Sequence, residues 1–247
     1  MLIYGVNPVL EALRSGRVSE IRVADRGDKR LVMVLEAAAG KGVKVRRVSS
    51  SDLDRAARGG VHQGIVADVR DAAHVTVEAL VTMASGAPLI VVLDGIEDPH
   101  NVGAILRTVD AAGADGVVRQ SRHAAPLGGA AAKASAGAVT HVKIAEVVNI
   151  ARALESLKDA GVWTVGLAGE AQKPYDEIDY TLPTAIVVGA EEGGLRRLVR
   201  DRCDWLVAIP MRGNVQSLNV SVATGIALFE ALRQRRPQPS LPTSARA

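Results

Sequence analysis

The 247 residues allow one large domain or two small ones, and 48 % hydrophobic with 23 % charged residues describes a globular chain with a sizeable core. The single cysteine, Cys203, excludes a disulfide framework or a Cys-rich metal site within the chain, and no apolar run is long enough to cross a bilayer. Net charge is +3, unevenly placed: residues 1–70 carry 13 Lys and Arg against 8 Asp and Glu, whereas residues 71–247 carry 17 against 19.

A basic first quarter points to a polyanionic partner, RNA or DNA, with a plain solvated surface as the alternative. Aromatic residues make up only 2 %, which argues against a platform that stacks bases on Phe and Tyr. The N-terminal MLIYGVNPVLEALRSG has neither a basic lead-in nor a long apolar run. No signal peptide is expected, and a reducing cytoplasm is the expected compartment.

In chain order, Asn7-Pro8 opens a helix over 9–13 that ends before Gly16. Residues 20–23 read as a strand, 31–39 as a helix stopped by Gly40 and Gly42, and 43–48 as a strand with alternating basic residues. A short helix over 52–58 follows a serine run able to cap it, and a last strand spans 61–69 after Gly59-Gly60. This is a small α/β unit, and His62 and Gln63 in its last strand are open to either RNA contact or a surface turn. Residues 71–86 read as a connector with room for a short helix over 76–83.

The second unit opens with LIVVLD at 89–94, apolar on consecutive positions as a strand covered on both faces requires. A loop over 95–102, a helix over 104–112 and a strand over 115–118 follow. Next come a loop over 121–127 and a helix of small residues over 130–136. An amphipathic helix over 149–160 leads to strands at 162–167 and 185–189. An Arg-rich helix is expected over 193–201, then a strand over 205–209. The stretch IPMRGNVQSLNVSVATGIALF, residues 209–229, reads as strand end, polar loop and a helix apolar on most sides, therefore buried on most sides. The Pro- and Ser-containing basic end, from residue 233 on, reads as a disordered tail.

Alternating strands and helices with buried strands predict an α/β fold on a mostly parallel sheet, with ligand loops at the carboxyl ends of the strands. Three polar loops follow three such strands: 94–102, 189–194 and 210–219. A dinucleotide fingerprint, a Walker A run and a G-x-S-x-G elbow are all missing, and the five histidines lack metal-ligand spacing. The polar candidates are Asn101, Arg107, Glu191, Ser217 and Asn219, with glycines flanking Glu191. Backbone amides beside glycines suit an adenine ring, and an arginine near a helix start suits a phosphate. Ordinary roles stay open: Asn101 as a helix N-cap, Glu191 as a helix N-terminal charge, Arg107 as a surface cation.

The segments LDGIEDPHNVGAILRTVDAAGADGVV, IVVGAEEGGLRRLVRDRCDWLVAIPM and SLNVSVATGIALFEALRQR resemble, in order, the three motifs of the SpoU/TrmH family. These are RNA ribose 2′-O-methyltransferases of the SPOUT superfamily. YGVNPVLEAL through VHQGIVADV, together with KASAGAVTHVKI, is similar to the branch that methylates a guanosine in large-subunit (23S) ribosomal RNA. The resemblance implies an N-terminal α/β RNA-binding domain over 1–70 and a linker over 71–86. It implies a SPOUT-type parallel-sheet catalytic domain over 87–235, with a deep C-terminal trefoil knot, and a disordered tail over 236–247. It also implies S-adenosylmethionine as cofactor, no metal, an RNA partner rather than DNA or membrane, and a homodimer.

Carried over residue by residue, the cofactor shell is Gly189, Ile209 and Leu218, and the catalytic set is Asn101, Arg107, Glu191, Ser217 and Asn219. The second motif reads GAEEGG, where many members have another residue after the first Glu, so Glu192 is assigned nothing; nor is His100. Three alternatives accompany this reading. They are a same-fold enzyme acting on transfer RNA, one acting on a resistance-determining ribosomal adenosine, and a non-catalytic RNA-binding protein.

Overall fold

The computed structural model describes residues 1–25, 29–70 and 75–236. The first unit contains β1 (Leu2–Tyr4), α1 (Val6–Arg14), β2 (Val18–Ala24), α2 (Lys29–Gly40), β3 (Lys44–Val48), α3 (Ser50–Ala57) and β4 (Ile65–Val69). Its sheet has the order β1-β4-β2-β3, antiparallel on both sides of β4 and parallel between β2 and β3. The Ser49 hydroxyl caps α3 by accepting from the Asp52 N–H at 3.2 Å. β4 begins at Ile65, later than the sequence pattern suggests. His62 lies in a turn instead: its Nδ1 accepts from the Gly64 N–H at 3.0 Å, and its Nε2 sits 3.0 Å from Asp54. Positive φ at Gln63 and Gly64 makes that turn incompatible with a strand.

The stretch read as a connector is partly structural. Thr76 caps α4 (Val77–Thr82), and Val77 and Leu80 are buried beneath the second unit. The second unit then runs β5 (Leu89–Asp94), α5 (Pro99–Ala112), β6 (Gly116–Gln120), α6 (Gly129–Ala134), β7 (Ile144–Val147), α7 (Ile150–Asp159), β8 (Trp163–Leu167), β9 (Lys173–Pro174), β10 (Thr184–Gly189), α8 (Arg197–Arg200), β11 (Trp205–Ala208) and α9 (Val220–Arg235). The seven strands pair in the order β7-β6-β5-β10-β8-β11-β9, every neighbour parallel.

All six residues of β5 and of β10 are buried, as their unbroken apolar runs require. Val91 and Leu93 join the core that contains residues of α5 and α9, and Ile90 and Val92 join the core formed with α4 and α7. The period-two alternation thus splits one apolar run between two layers. β7 and β9 were not expected. β7 is a four-residue edge strand carrying Glu146, and β9 has two residues, so neither has a hydrophobic pattern to announce it.

α9 differs from its sequence expectation. Val220, Thr224, Ala227, Leu228 and Ala231 are buried along one stripe, while Val222 and Phe229, seven residues apart, stay 49 % and 48 % exposed. Its last turn is also firmer than the tail expected from residue 233. Arg235 donates to four carbonyls, those of Tyr180 (2.7 Å), Ala87 (2.6 Å), Pro88 (3.1 Å) and Leu182 (2.9 Å). Residues 237–247 lie outside the described part of the chain.

The two units share one continuous apolar core. Polar ties reinforce the contact: Arg17 Nη1 donates to the Thr140 carbonyl at 3.2 Å, and Lys133 Nζ to the Val61 carbonyl at 3.1 Å. His141 Nε2 lies 3.1 Å from Glu11.

Candidate active site

The carboxyl ends of the parallel strands put the candidate loops on one edge. Asp94 and Gly189, the last residues of β5 and β10, are direct partners in the sheet. Asp98 caps α5 by accepting from the N–H groups of His100 (3.0 Å) and Asn101 (3.3 Å), with Pro99 at the first helical position. Asn101 is therefore not the cap. It stands in the first turn of α5 with its side chain free to face the loops.

That side chain closes a triangle. Asn101 Nδ2 donates to Glu191 Oε1 at 2.8 Å, and Asn219 Nδ2 donates to the same oxygen at 2.7 Å and to Asn101 Oδ1 at 2.9 Å. Asn219 Oδ1 meanwhile caps α9, accepting from the Ser221 N–H at 2.9 Å and its hydroxyl at 2.6 Å. Three segments widely separated in the chain thus meet at one carboxylate oxygen. The bland role for Glu191 falls away, because no helix begins there: α8 starts only at Arg197 and has four residues, not the longer helix expected over 193–201.

The shortness of α8 has a cause that sequence reading missed. Arg196 is extended, and its backbone N–H donates to Asp94 Oδ2 at 2.8 Å while its Nε donates to Oδ1 at 2.7 Å. Asp94 is 1 % exposed. A carboxylate closing a fully apolar strand was the available signal, since a buried charge demands a partner. Between Glu191 and Arg196 the chain doubles back through an Ala190–Gly194 bridge. A Cβ on Gly189 would lie 2.1 Å from the Gly194 carbonyl, so only glycine permits that fold-back over the strand end.

The other candidates are placed less tightly. Arg107 is exposed on α5, and its side chain has no hydrogen bond or ion pair among the described residues. Ser217 is exposed in the 209–219 loop, and Ile209 and Leu218, partly buried, stand near its two ends. Among the described residues, the backbone groups of 210–218 enter no backbone–backbone hydrogen bond. A run of unspent N–H and C=O groups beside partly apolar residues is what an adenine edge requires, so these residues fit an adenosyl cofactor. No group of three His, Cys, Asp or Glu able to hold a metal occurs among the described residues.

Fold and site together define a parallel-sheet α/β protein with a polar ligand site at the carboxyl ends of its central strands. The profile of the SpoU rRNA Methylase family matches residues 88–229, and that of the RNA 2′-O ribose methyltransferase substrate-binding domain matches residues 2–75. The 23S rRNA (guanosine-2′-O-)-methyltransferase RlmB of Pseudomonas aeruginosa is 44 % identical over 241 residues, 95 % of this chain and 97 % of the relative. The RlmB of Photobacterium profundum is 45 % identical over 240 residues, 95 % and 98 % of the two chains. The crystal structure of the SpoU methyltransferase AviRb from Streptomyces viridochromogenes with AdoMet superposes with a TM-score of 0.79 at 27 % identity, covering 95 % of this chain and 90 % of that one. The chain belongs to the SpoU rRNA methylase family, in its RlmB-like branch, and its fold is of the SPOUT methyltransferase type.

Proposed function

We propose that this protein is an enzyme that transfers a methyl group from S-adenosylmethionine to the ribose 2′-hydroxyl of a guanosine in 23S ribosomal RNA. The observation that carries the reading is the Asn101–Glu191–Asn219 triangle, formed at the carboxyl edge of β5 and β10 beside a loop with unspent backbone groups. The family and the high-coverage similarity to RlmB proteins support it.

The cofactor supplies a methyl group on a sulfonium, and the protein's task is to hold a ribose oxygen in line with it. Such alignment is worth about 7–11 kcal/mol of barrier. Gly189, Ile209 and Leu218 are assigned to the cofactor, chiefly through backbone groups. Glu191, oriented by two amide donors on Oε1, keeps Oε2 for a ribose hydroxyl. Ser217 is assigned to the same substrate edge. Arg107 is assigned to the phosphate beside the target ribose, since a guanidinium stays protonated and its fork matches a phosphate oxygen pair.

RNA affinity is assigned to residues 1–70, whose strand β3 exposes Lys44, Arg46 and Arg47. The half-exposed Val222 and Phe229 on α9 support a homodimer built on that helix. α9 returns from β11 to pack on α5 and β10, a course consistent with the trefoil knot of the family. No helix among the described residues is long and apolar enough to cross a membrane, and the cytoplasm is the proposed compartment. Tritiated methyl transfer to 23S rRNA transcripts, followed by mapping of 2′-O-methyl positions, tests the function; modification of transfer RNA alone, or of no RNA, would overturn it.

A further inference from the structure

Away from the cofactor loops, on the β6 and β7 side of β5, a cleft of about 920 Å³ opens between the two units. Its walls mix apolar and polar groups, from β1, the end of α3 and the segment after β6. It reaches Pro99, two residues before Asn101, so it adjoins the proposed active site. Three polar side chains bear on it. The Arg119 side chain, 6 % exposed, lines the cleft, and its buried Nη1 has no hydrogen-bond partner among the described residues. The other guanidinium nitrogens have partners: Nη2 donates to the Ala125 carbonyl at 2.5 Å, and Nε donates to the Gln120 carbonyl at 3.4 Å and lies 3.6 Å from Glu146. Tyr4 lines the opposite wall, and its hydroxyl has no partner among the described residues. Arg58, exposed at the end of α3, has no ion pair or hydrogen bond through its side chain among the described residues.

A buried guanidinium N–H without an acceptor costs free energy unless a ligand supplies one. Mixed walls, with Arg119 beside Glu146 in the floor and Arg58 at the rim, fit a nucleotide, whose base is flat and apolar on its faces and whose edge and phosphate are rich in acceptors. We infer that this cleft holds one unstacked nucleotide of the substrate RNA, distinct from the methylated one, with Arg119 donating to an acceptor oxygen or nitrogen of that nucleotide. The site would read RNA beside the reacting ribose and make use of the firm packing of the two units. This inference rests on the RNA methyltransferase reading above.

The test uses the full-length protein and a 23S rRNA transcript. Arg119→Met keeps the apolar stem and removes the donors. Ser121→Trp plugs the rim from an exposed position whose side chain makes no hydrogen bond among the described residues, and so guards against a folding defect in the first variant. Each variant is expected to weaken RNA binding about tenfold, the scale of one lost charged hydrogen bond, and to bind S-adenosylmethionine within about twofold of the parent. Ultraviolet cross-linking of the parent is expected to leave a nucleotide on a peptide from 119–129. Unchanged RNA binding by both variants, while the parent methylates 23S rRNA, overturns the cleft alone. Competition by free GMP without any RNA cross-link at 119–129 assigns the cleft to a free nucleotide and also overturns it. Failure of the parent to bind or methylate the transcript overturns the cleft together with the function.

Discussion

Arg196 grips Asp94 with backbone and side chain at once, its N–H on one carboxylate oxygen at 2.8 Å and its Nε on the other at 2.7 Å. The contact spans 102 residues and ties the end of β5 to the segment that carries Glu191. Arg196→Ala leaves a buried carboxylate with a single donor. It is expected to cost about 2 kcal/mol in urea unfolding and to lower kcat more than RNA affinity, because Glu191 loses its support. A variant with parental stability and kcat would show the pair to be incidental.

Glu191→Gln keeps the shape of the side chain and removes its charge. With two amide donors converging on Oε1, the glutamine carbonyl can take that place, but its amide then stands where the free carboxylate oxygen stood. Methyl transfer is expected to fall about a hundredfold, on the scale of a lost charged contact made in the transition state. Cofactor affinity, measured by calorimetry, should change little; an equal fall in both would reassign Glu191 to the cofactor.

Arg107 has no side-chain hydrogen bond or ion pair among the described residues, so Arg107→Ala should leave the urea midpoint unchanged. Methylation is expected to disappear while S-adenosylmethionine still binds. Parallel loss of both in a titration would sink the assignment to the RNA phosphate.

Arg46→Glu with Arg47→Glu reverses charge at two exposed positions of β3, one on each face of the strand. RNA affinity should drop, and the slope of log affinity against log salt should become shallower by about one to two. An unaltered slope would place the electrostatic footprint elsewhere.

Tyr180 is fully buried, its hydroxyl has no hydrogen-bond partner among the described residues, and burial, reinforced by Glu230, Tyr175 and Asp176, raises its pKa above the usual 10.0. A raised folded pKa means that this contribution to stability is complete below the unfolded value and is lost as pH rises through the folded one. Stability should therefore decline above about pH 10, and Tyr180→Phe should flatten that decline. The same variant should gain about 1 kcal/mol at neutral pH by removing an unsatisfied group. A loss of stability at pH 7 would point to a partner for the hydroxyl.

Much of this architecture is written locally. LIVVL and AIVV are apolar on every position, and the all-buried β5 and β10 follow directly. Asp98-Pro99 marks the start of α5 by cap chemistry alone. The candidate residues were legible as motif positions, but the meeting of Asn101, Glu191 and Asn219 was not, because it depends on strand order rather than on spacing. α8 was overread for a similar reason: its arginines have helical propensity, yet Arg196 is extended and bound to Asp94, a residue no local window contains. α9 looks buried all round from its composition, whereas a single chain covers only one stripe of it.

The triangle also has an order in time. Asn101 emerges from the ribosome 118 residues before Asn219, and Arg235, which secures the far end of the same helix on four carbonyls, comes later still. A nascent chain released early carries the RNA-facing unit and the central strands without the third corner of its site. The triangle thus closes only after synthesis has passed Asn219, and the far end of its helix is secured later still, when Arg235 is made.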